Sequence, residues 1–92
     1  EPNRALAEQL LNQYKLPISL LYTSLNEMLD KTKPEAVTGF GNTFDHLSIV
    51  QACAPRKIHV MVEKPLAVSL DHAQQIQSLA KKHSIHVLTN YE

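Results

Sequence analysis

The run IHVMVEKPL, which begins at Ile58, constrains the fold of this 92-residue chain more than any other stretch. Ile58, Val60 and Val62 recur at the two-residue period of a β-strand, so they share one of its faces. Pro65 lacks a backbone N–H donor and disfavours helical dihedrals in the preceding residue, Lys64. The pattern therefore predicts a strand that ends abruptly at an acid and a base.

The charged pair Glu63–Lys64 at the end of this strand is the first candidate for a functional site. In open parallel α/β sheets, ligands bind outside the carboxyl ends of the strands. Charged residues can equally mark the point where a strand leaves the apolar core. The pattern alone does not separate these two interpretations.

The rest of the chain alternates between two kinds of pattern. Apolar residues at three- and four-residue steps predict amphipathic helices, and short apolar runs bounded by turn residues predict strands. A capping box is expected at Ser24 with Glu27, and Asp45 is expected to cap or to charge the start of a helix. Residues 69–71 are expected to begin another helix, with Asp71 in its first turn. The predicted helices cover residues 3–16, 24–31, 45–54 and 69–83, and the predicted strands cover residues 18–22, 36–40, 58–62 and 85–88.

Alternation of helices and strands through short connections is typical of a parallel sheet flanked by helices. The sequence therefore predicts the α/β fold class. The strands at 36–40 and 58–62 are nearly all apolar, so we expect both faces of the sheet to be covered there.

Composition excludes several classes of partner. Nine basic and nine acidic residues cancel, so the chain lacks the electrostatic signature of binding to nucleic acid or to an anionic membrane. No segment is long and apolar enough to span a bilayer. The single cysteine, Cys53, cannot form an internal disulfide, which favours the cytoplasm.

The chain has the size of one small domain, and because it opens on Glu1 we expect it to be part of a longer protein.

Several groups of residues together suggest a family. They are residues 34–37 (PEAV), His46 at the head of a helix, residues 52–54 (ACA) and residues 59–67 (HVMVEKPLA). These motifs resemble the Gfo/Idh/MocA family of NAD(P)-dependent oxidoreductases. The similarity covers essentially the whole chain, as far as Asn90.

The resemblance implies a two-domain enzyme. A Rossmann domain binds NAD(P), and a second α/β domain supplies substrate contacts and often the dimer interface. Residues 1–92 would be part of the first domain, an incomplete parallel Rossmann-type sheet of three or four strands flanked by helices. The strand with the family's glycine-rich phosphate loop would lie outside this chain, because Gly39 and Gly41 do not fit that loop.

The resemblance also implies roles for the charged pair. Lys64 would be catalytic, contacting the nicotinamide ribose and the substrate hydroxyl and holding or relaying the hydroxyl proton. Glu63 would bind the nicotinamide ribose and orient the lysine. Pro65 would fix the backbone between them through a cis peptide bond, which only proline makes accessible at low energy.

Further cofactor contacts are implied at loops and at the amino terminus. Asn90 matches a position near the nicotinamide carboxamide, and the adenosine side would be lined by Gly41, Asn42 and Thr43. Glu1 matches an acidic position that accepts from the adenosine ribose hydroxyls, which favours NAD over NADP. Arg4 keeps the NADP option open.

For the whole protein, the resemblance implies hydride transfer between NAD(P) and a sugar, cyclitol or related polyol. Two alternatives stay open: an NAD-dependent glycoside hydrolase of the same superfamily, and a non-catalytic nucleotide-sensing regulator. We expect a small-molecule substrate, a homo-oligomer and no metal site.

The chain alone is expected to be inactive and to bind no cofactor. It should self-associate, because residues 36–40 would form an exposed edge open to another copy or to the strand at 18–22.

Lys57 and His46 carry structural expectations of their own. Lys57 occupies a turn where the family usually has glycine, and a left-handed backbone there would cost roughly 1 kcal/mol relative to glycine. His46 matches a recurrent family histidine. It is either a helix-start residue that packs under the cofactor loop or a residue with a chemical role.

Overall fold

The computed structural model describes residues 3–90 and divides into two compact units, Glu1–Lys33 and Pro34–Glu92. The first unit contains helices α1 (Arg4–Gln13) and α2 (Leu25–Thr32). The Asn3 side chain accepts a hydrogen bond from the Leu6 amide at the start of α1, and Ser24 accepts one from the Glu27 amide at the start of α2. Both predicted helices, and the predicted cap at Ser24, are confirmed.

The predicted strand at 18–22 is wrong, because Ile18–Leu20 forms a 3₁₀ turn. Pro17 has a φ of −65°, and its carbonyl accepts a hydrogen bond from the Leu20 amide at 3.1 Å. The Leu21 amide likewise donates to the Ile18 carbonyl at 2.9 Å. Proline presets the turn, and these local bonds satisfy backbone groups that a strand would need a neighbour to satisfy.

The second unit is a three-stranded parallel sheet with two helices. In chain order its elements are β1 (Ala36–Gly39), α3 (His46–Cys53), β2 (His59–Glu63), α4 (Leu70–His83) and β3 (Val87–Asn90). The strands lie in the order β1-β2-β3. Consecutive parallel strands in spatial order are what the second half of a Rossmann sheet contains, so the α/β prediction and the incomplete sheet are confirmed.

The last strand begins two residues later than predicted, at Val87 in place of Ile85. Ser84 adopts a left-handed conformation with φ 58°, and the Ile85 amide donates to the carbonyl of Ala80 at 3.0 Å. This pattern closes the end of α4. Ile85 is therefore buried as part of the helix terminus, although its apolar side chain suggested a strand residue.

The two faces of the sheet differ. Val60 and Val62 are buried on the face against which α3 packs, whereas Met61 is 38% exposed and Leu88 is 59% exposed on the opposite face. The expectation that both faces are covered is therefore wrong for the described residues. The connections from β1 to β2 and from β2 to β3 have the same handedness, and the strand order runs in one direction. These two connections therefore place α3 and α4 on the same side of the sheet.

Every helix within residues 3–90 is too short or too polar to cross a membrane.

Gly39, at the end of β1, permits the close approach of α3. A Cβ atom built there would lie 2.8 Å from Cδ1 of Ile49 and 3.4 Å from Cγ1 of Val62. We expect Gly39→Ala to lower the free energy of unfolding by about 1 kcal/mol, because Ile49 must change its position. The matched control is Gly41→Ala, whose Cβ would lie an ordinary 3.7 Å from Oδ2 of Asp45. Urea unfolding of the two variants measures the difference, and equal destabilisation would contradict this account.

Lys57 ends the 3₁₀ turn Ala54–Arg56 with φ 59° and ψ 40°. This is the left-handed conformation for which the sequence predicted a cost relative to glycine. We expect Lys57→Gly to raise the free energy of unfolding by about 1 kcal/mol, since glycine adopts this conformation without a Cβ clash. Lys57→Ala is the control. It also removes the 3.5 Å contact of Nζ with the His83 carbonyl but keeps the strained dihedral. A thermal melt in which both variants gain stability equally would refute the backbone explanation.

Candidate active site

The carboxyl ends of the three strands meet along one edge of the sheet. Gly39, Glu63 and Asn90 are the last residues of β1, β2 and β3. Because the strands are parallel, the loops that follow β1 and β2 leave the sheet at this same edge. The structure therefore brings the candidate residues of the 41–43 loop and of the 63–65 run to one edge, together with Asn90.

Glu63 and Asn90 form the best-defined contact at this edge. They are paired in the register of β2 and β3, so their side chains share a face of the sheet. Nδ2 of Asn90 donates to Oε1 of Glu63 at 3.1 Å, and the pair is partly buried. A carboxylate accepts several hydrogen bonds, so Asn90 orients Glu63 and leaves acceptor capacity for a ligand. The sequence placed both residues near a nicotinamide but did not predict their mutual contact.

Lys64 and Pro65 follow directly and are both exposed. The peptide bond between them is cis, as the resemblance implied. Because Lys64 is exposed and follows Glu63 directly, its side chain begins immediately beyond the oriented carboxylate, at the solvent-facing edge. An acid held in place beside an accessible lysine can bind hydroxyl groups as acceptor and donor together.

The loop after β1 contains the other predicted contacts. Gly41 and Asn42 are exposed, and Thr43 opens a 3₁₀ turn, Thr43–Asp45, that runs directly into α3. Of the two roles left open for Asp45, the capping role is wrong, because Asp45 already has near-helical dihedrals (φ −80°, ψ −9°) and its side chain makes no capping bond. A capping residue normally needs extended dihedrals. The carboxylate still lies near the positive end of the helix dipole.

His46 is buried at the start of α3, with 1% of its surface exposed. Its Nδ1 lies 3.0 Å from the carbonyl oxygen of Leu66, in the loop after β2. Its Nε2 is buried and has no hydrogen-bond partner among the described residues. An unpaired buried polar atom costs about 1–3 kcal/mol. Of the two interpretations left open by the sequence, packing under the loop is the one that the geometry matches.

Phe44, in the 3₁₀ turn after β1, contacts His72 in the first turn of α4, with ring centroids 5.5 Å apart. Sequence reasoning singled out neither residue, and it also missed the Leu66 carbonyl. An aromatic residue beside the Gly41–Thr43 turn was a weak signal that this loop packs on a neighbouring element. No sequence pattern identified its partner, because the two rings belong to elements far apart in the chain, the turn after β1 and helix α4.

Other side chains with reactive groups lie away from this edge, and one predicted contact lies outside the described residues. Cys53 is fully buried, and burial raises the pKa of its thiol, an effect that the Arg56 guanidinium partly opposes. The rings of His59 and His86 are 5.2 Å apart near the amino ends of β2 and β3. Among residues 3–90, no three His, Cys, Asp or Glu side chains form a group that could hold a metal ion. Glu1 lies outside the described residues.

Comparison with known proteins identifies the family. A family model described as "Oxidoreductase family, NAD-binding Rossmann fold" matches residues 1–91. A myo-inositol 2-dehydrogenase from Thermotoga maritima is 30% identical over 77 residues, which cover 84% of this chain and 23% of that protein.

Solved structures share the fold. An inositol dehydrogenase homologue from Azotobacter vinelandii, complexed with NAD+, superposes with a TM-score of 0.85 at 19% identity, over 99% of this chain and 25% of that one. Myo-inositol 2-dehydrogenase from Lactobacillus plantarum gives a TM-score of 0.83 at 18% identity, over 98% of this chain and 26% of that one. The chain therefore spans about a quarter of the length of the relatives that it matches. It belongs to the Gfo/Idh/MocA family of oxidoreductases and has the family's NAD-binding Rossmann fold.

Proposed function

We propose that the whole protein is an NAD-dependent dehydrogenase of a cyclitol or related polyol, and that the Glu63–Lys64–Asn90 edge forms the nicotinamide side of its active site. The observation that carries the proposal is the Glu63 carboxylate, oriented by Asn90 at 3.1 Å next to the exposed Lys64. The 30% identity to a myo-inositol 2-dehydrogenase supports the substrate class.

The donor and acceptor groups at this edge suit a nicotinamide nucleotide. Ribose hydroxyls donate to carboxylates and accept from lysine, so Glu63 and Lys64 would hold the nicotinamide ribose. Gly41, Asn42 and Thr43 would line the adenosine side. When bound, NAD supplies the hydride acceptor. The remainder of the whole protein would supply the glycine-rich phosphate loop, a substrate domain and the contacts of a homo-oligomer.

Lys64 would act on the substrate hydroxyl. Oxidation of an alcohol needs the hydroxyl proton to leave as the carbon loses hydride, so a group at the oxygen must take the proton or stabilise the developing negative charge. Lys64 would do this while Glu63 and Pro65 fix its position. The pairing of Glu63 with Asn90 would keep that geometry constant between the free and bound states.

The preference for NAD is also a proposal. The Arg4 guanidinium lies 3.1 Å from the Glu8 carboxylate on α1, in an exposed pair that leaves it able to bind a 2′-phosphate, so the preference rests on Glu1. A carboxylate at Glu1 would repel a 2′-phosphate. Cofactor reduction with NAD should therefore exceed that with NADP at equal concentration.

The test is an assay of the whole protein with a panel of cyclitols, sugars and glycosides, in the presence of NAD or NADP. We expect polyol-dependent reduction of NAD with formation of one ketone per NADH. Release of reducing sugar without net NADH would point to the hydrolase alternative. NAD binding without turnover of any substrate would point to the regulator.

A further inference from the structure

His46 connects the start of α3 to the segment that carries Lys64. Its Nδ1 lies 3.0 Å from the carbonyl oxygen of Leu66 across 20 residues of sequence. A carbonyl oxygen only accepts hydrogen bonds, so Nδ1 must carry the ring proton. Leu66 lies two residues after Lys64, on a stretch without helix or strand.

We propose that His46 is a positioning residue for Lys64: its ring, protonated at Nδ1, anchors the Leu66 carbonyl and thereby fixes the backbone from which Lys64 reaches the substrate. The catalytic part of this inference rests on the proposed dehydrogenase function. The anchoring part does not, because it concerns only the bond between the ring and the carbonyl.

The burial of His46 supports a specific role for its polar ring. The side chain is 1% exposed, and its Nε2 is buried without a partner among the described residues. Leucine would fill similar space and would bury no unpaired polar atom, so packing alone favours an apolar residue here. The bond from Nδ1 to Leu66 is the one described contact that an apolar side chain could not replace.

The neighbouring aromatic contact cannot substitute for this bond. Phe44 and His72 meet ring to ring at 5.5 Å, with planes inclined by 48°. This contact joins the turn after β1 to the first turn of α4, and it does not orient a backbone carbonyl near Lys64. The His46 hydrogen bond is directional, so it determines how the peptide groups near Lys64 are turned.

Three variants of the whole protein test the proposal. His46→Leu removes the donor and keeps an apolar filler, whereas His46→Asn keeps an N–H donor at the position closest to Nδ1. Ile58→Ala is the stability control, because Ile58 is 3% exposed and immediately precedes β2, at the end of that strand away from the site. Turnover, KM for NAD, the melting temperature and the ¹³C shift of the Leu66 carbonyl are measured for each variant.

We expect His46→Leu to lower kcat by about 10- to 100-fold with little change in KM for NAD, because misplacement of Lys64 affects the chemical step. His46→Asn should recover most of the turnover and of the Leu66 carbonyl shift. Ile58→Ala should lose stability and keep its turnover. A purely structural histidine would instead give losses of turnover that follow melting temperature across all three variants, and this result would overturn the proposal.

A separate measurement distinguishes failure of this inference from failure of the dehydrogenase assignment. Two-bond ¹⁵N–¹H correlation of the wild-type histidine rings reports which nitrogen of His46 carries the proton. A proton on Nδ1, with a Leu66 carbonyl shift that changes in His46→Leu, supports the anchoring even if no polyol is oxidised. A proton on Nε2 alone refutes it even if the protein is an active dehydrogenase.

Discussion

Replacing Lys64 with alanine should lower the turnover of the whole protein by about 100- to 10,000-fold, the usual contribution of a positioned proton-transfer group. The affinity for NAD should fall far less than the turnover, because Lys64 is only one of the proposed ribose contacts and the oriented Glu63 carboxylate remains. Lys64 is exposed and lies beyond the end of β2, so its removal should not disturb the core. Steady-state kinetics and calorimetric titration with NAD measure the two quantities separately.

The matched control for Lys64 is Lys82→Ala. Lys82 is also exposed, but it lies in the last turn of α4, away from the carboxyl edge of the sheet. Lys64→Arg adds a chemical distinction, since arginine keeps the positive charge but does not give up its proton. Turnover retained in Lys64→Arg would identify charge stabilisation, and turnover lost in it would identify proton relay. Full turnover in Lys64→Ala would exclude both roles.

Breaking the bond between Asn90 and Glu63 should raise the KM for NAD by about tenfold. The bond is 3.1 Å long, and its acceptor is a partly buried carboxylate. A hydrogen bond to a charged group contributes about 1.5–3 kcal/mol, and this contribution is lost when Asn90 is removed. Asn90→Ala and Glu63→Ala, made singly and together, form a double-mutant cycle in the whole protein. If Asn90 acts by orienting Glu63, the double variant should be no worse than Glu63→Ala alone.

The control for this cycle is Leu88→Ala. Leu88 is 59% exposed on the same face of β3, two residues before Asn90. This variant should leave the KM for NAD unchanged. Strictly additive losses in the cycle would show that Asn90 contacts the cofactor independently of Glu63, which is the nicotinamide role that the resemblance implied.

The strands and helices of the second unit followed from the sequence to within about two residues at their ends. Two predictions of strand residues were wrong, one in each unit. In both cases local backbone hydrogen bonds formed in place of the strand that the apolar residues suggested. At Ile18–Leu20 an apolar run became a 3₁₀ turn after Pro17, and at Ile85 an apolar residue closed a helix. In both places short-range backbone hydrogen bonds satisfied the groups that a strand would have paired with a neighbour.

The candidate site was predictable as a set of positions but not as a geometry. Glu63, Lys64 and Pro65 are contiguous, so a single motif identified them. Asn90 and Glu63 are 27 positions apart in the sequence, and their contact depends on the register of β2 and β3. The steric limit at Gly39 depends on how closely α3 approaches β1, which no local pattern specifies.

By itself, the sequence determined the α/β class, the cap at Ser24, and the position of the charged run at the end of a strand. These features depend on interactions within about four residues, and such interactions are visible in local spacing. Only the tertiary structure decided that Asn90 orients Glu63 and that His46 holds the Leu66 carbonyl. Hydrogen bonds between residues 20 or more positions apart exist only after the strands have paired in register and α3 has packed on the sheet.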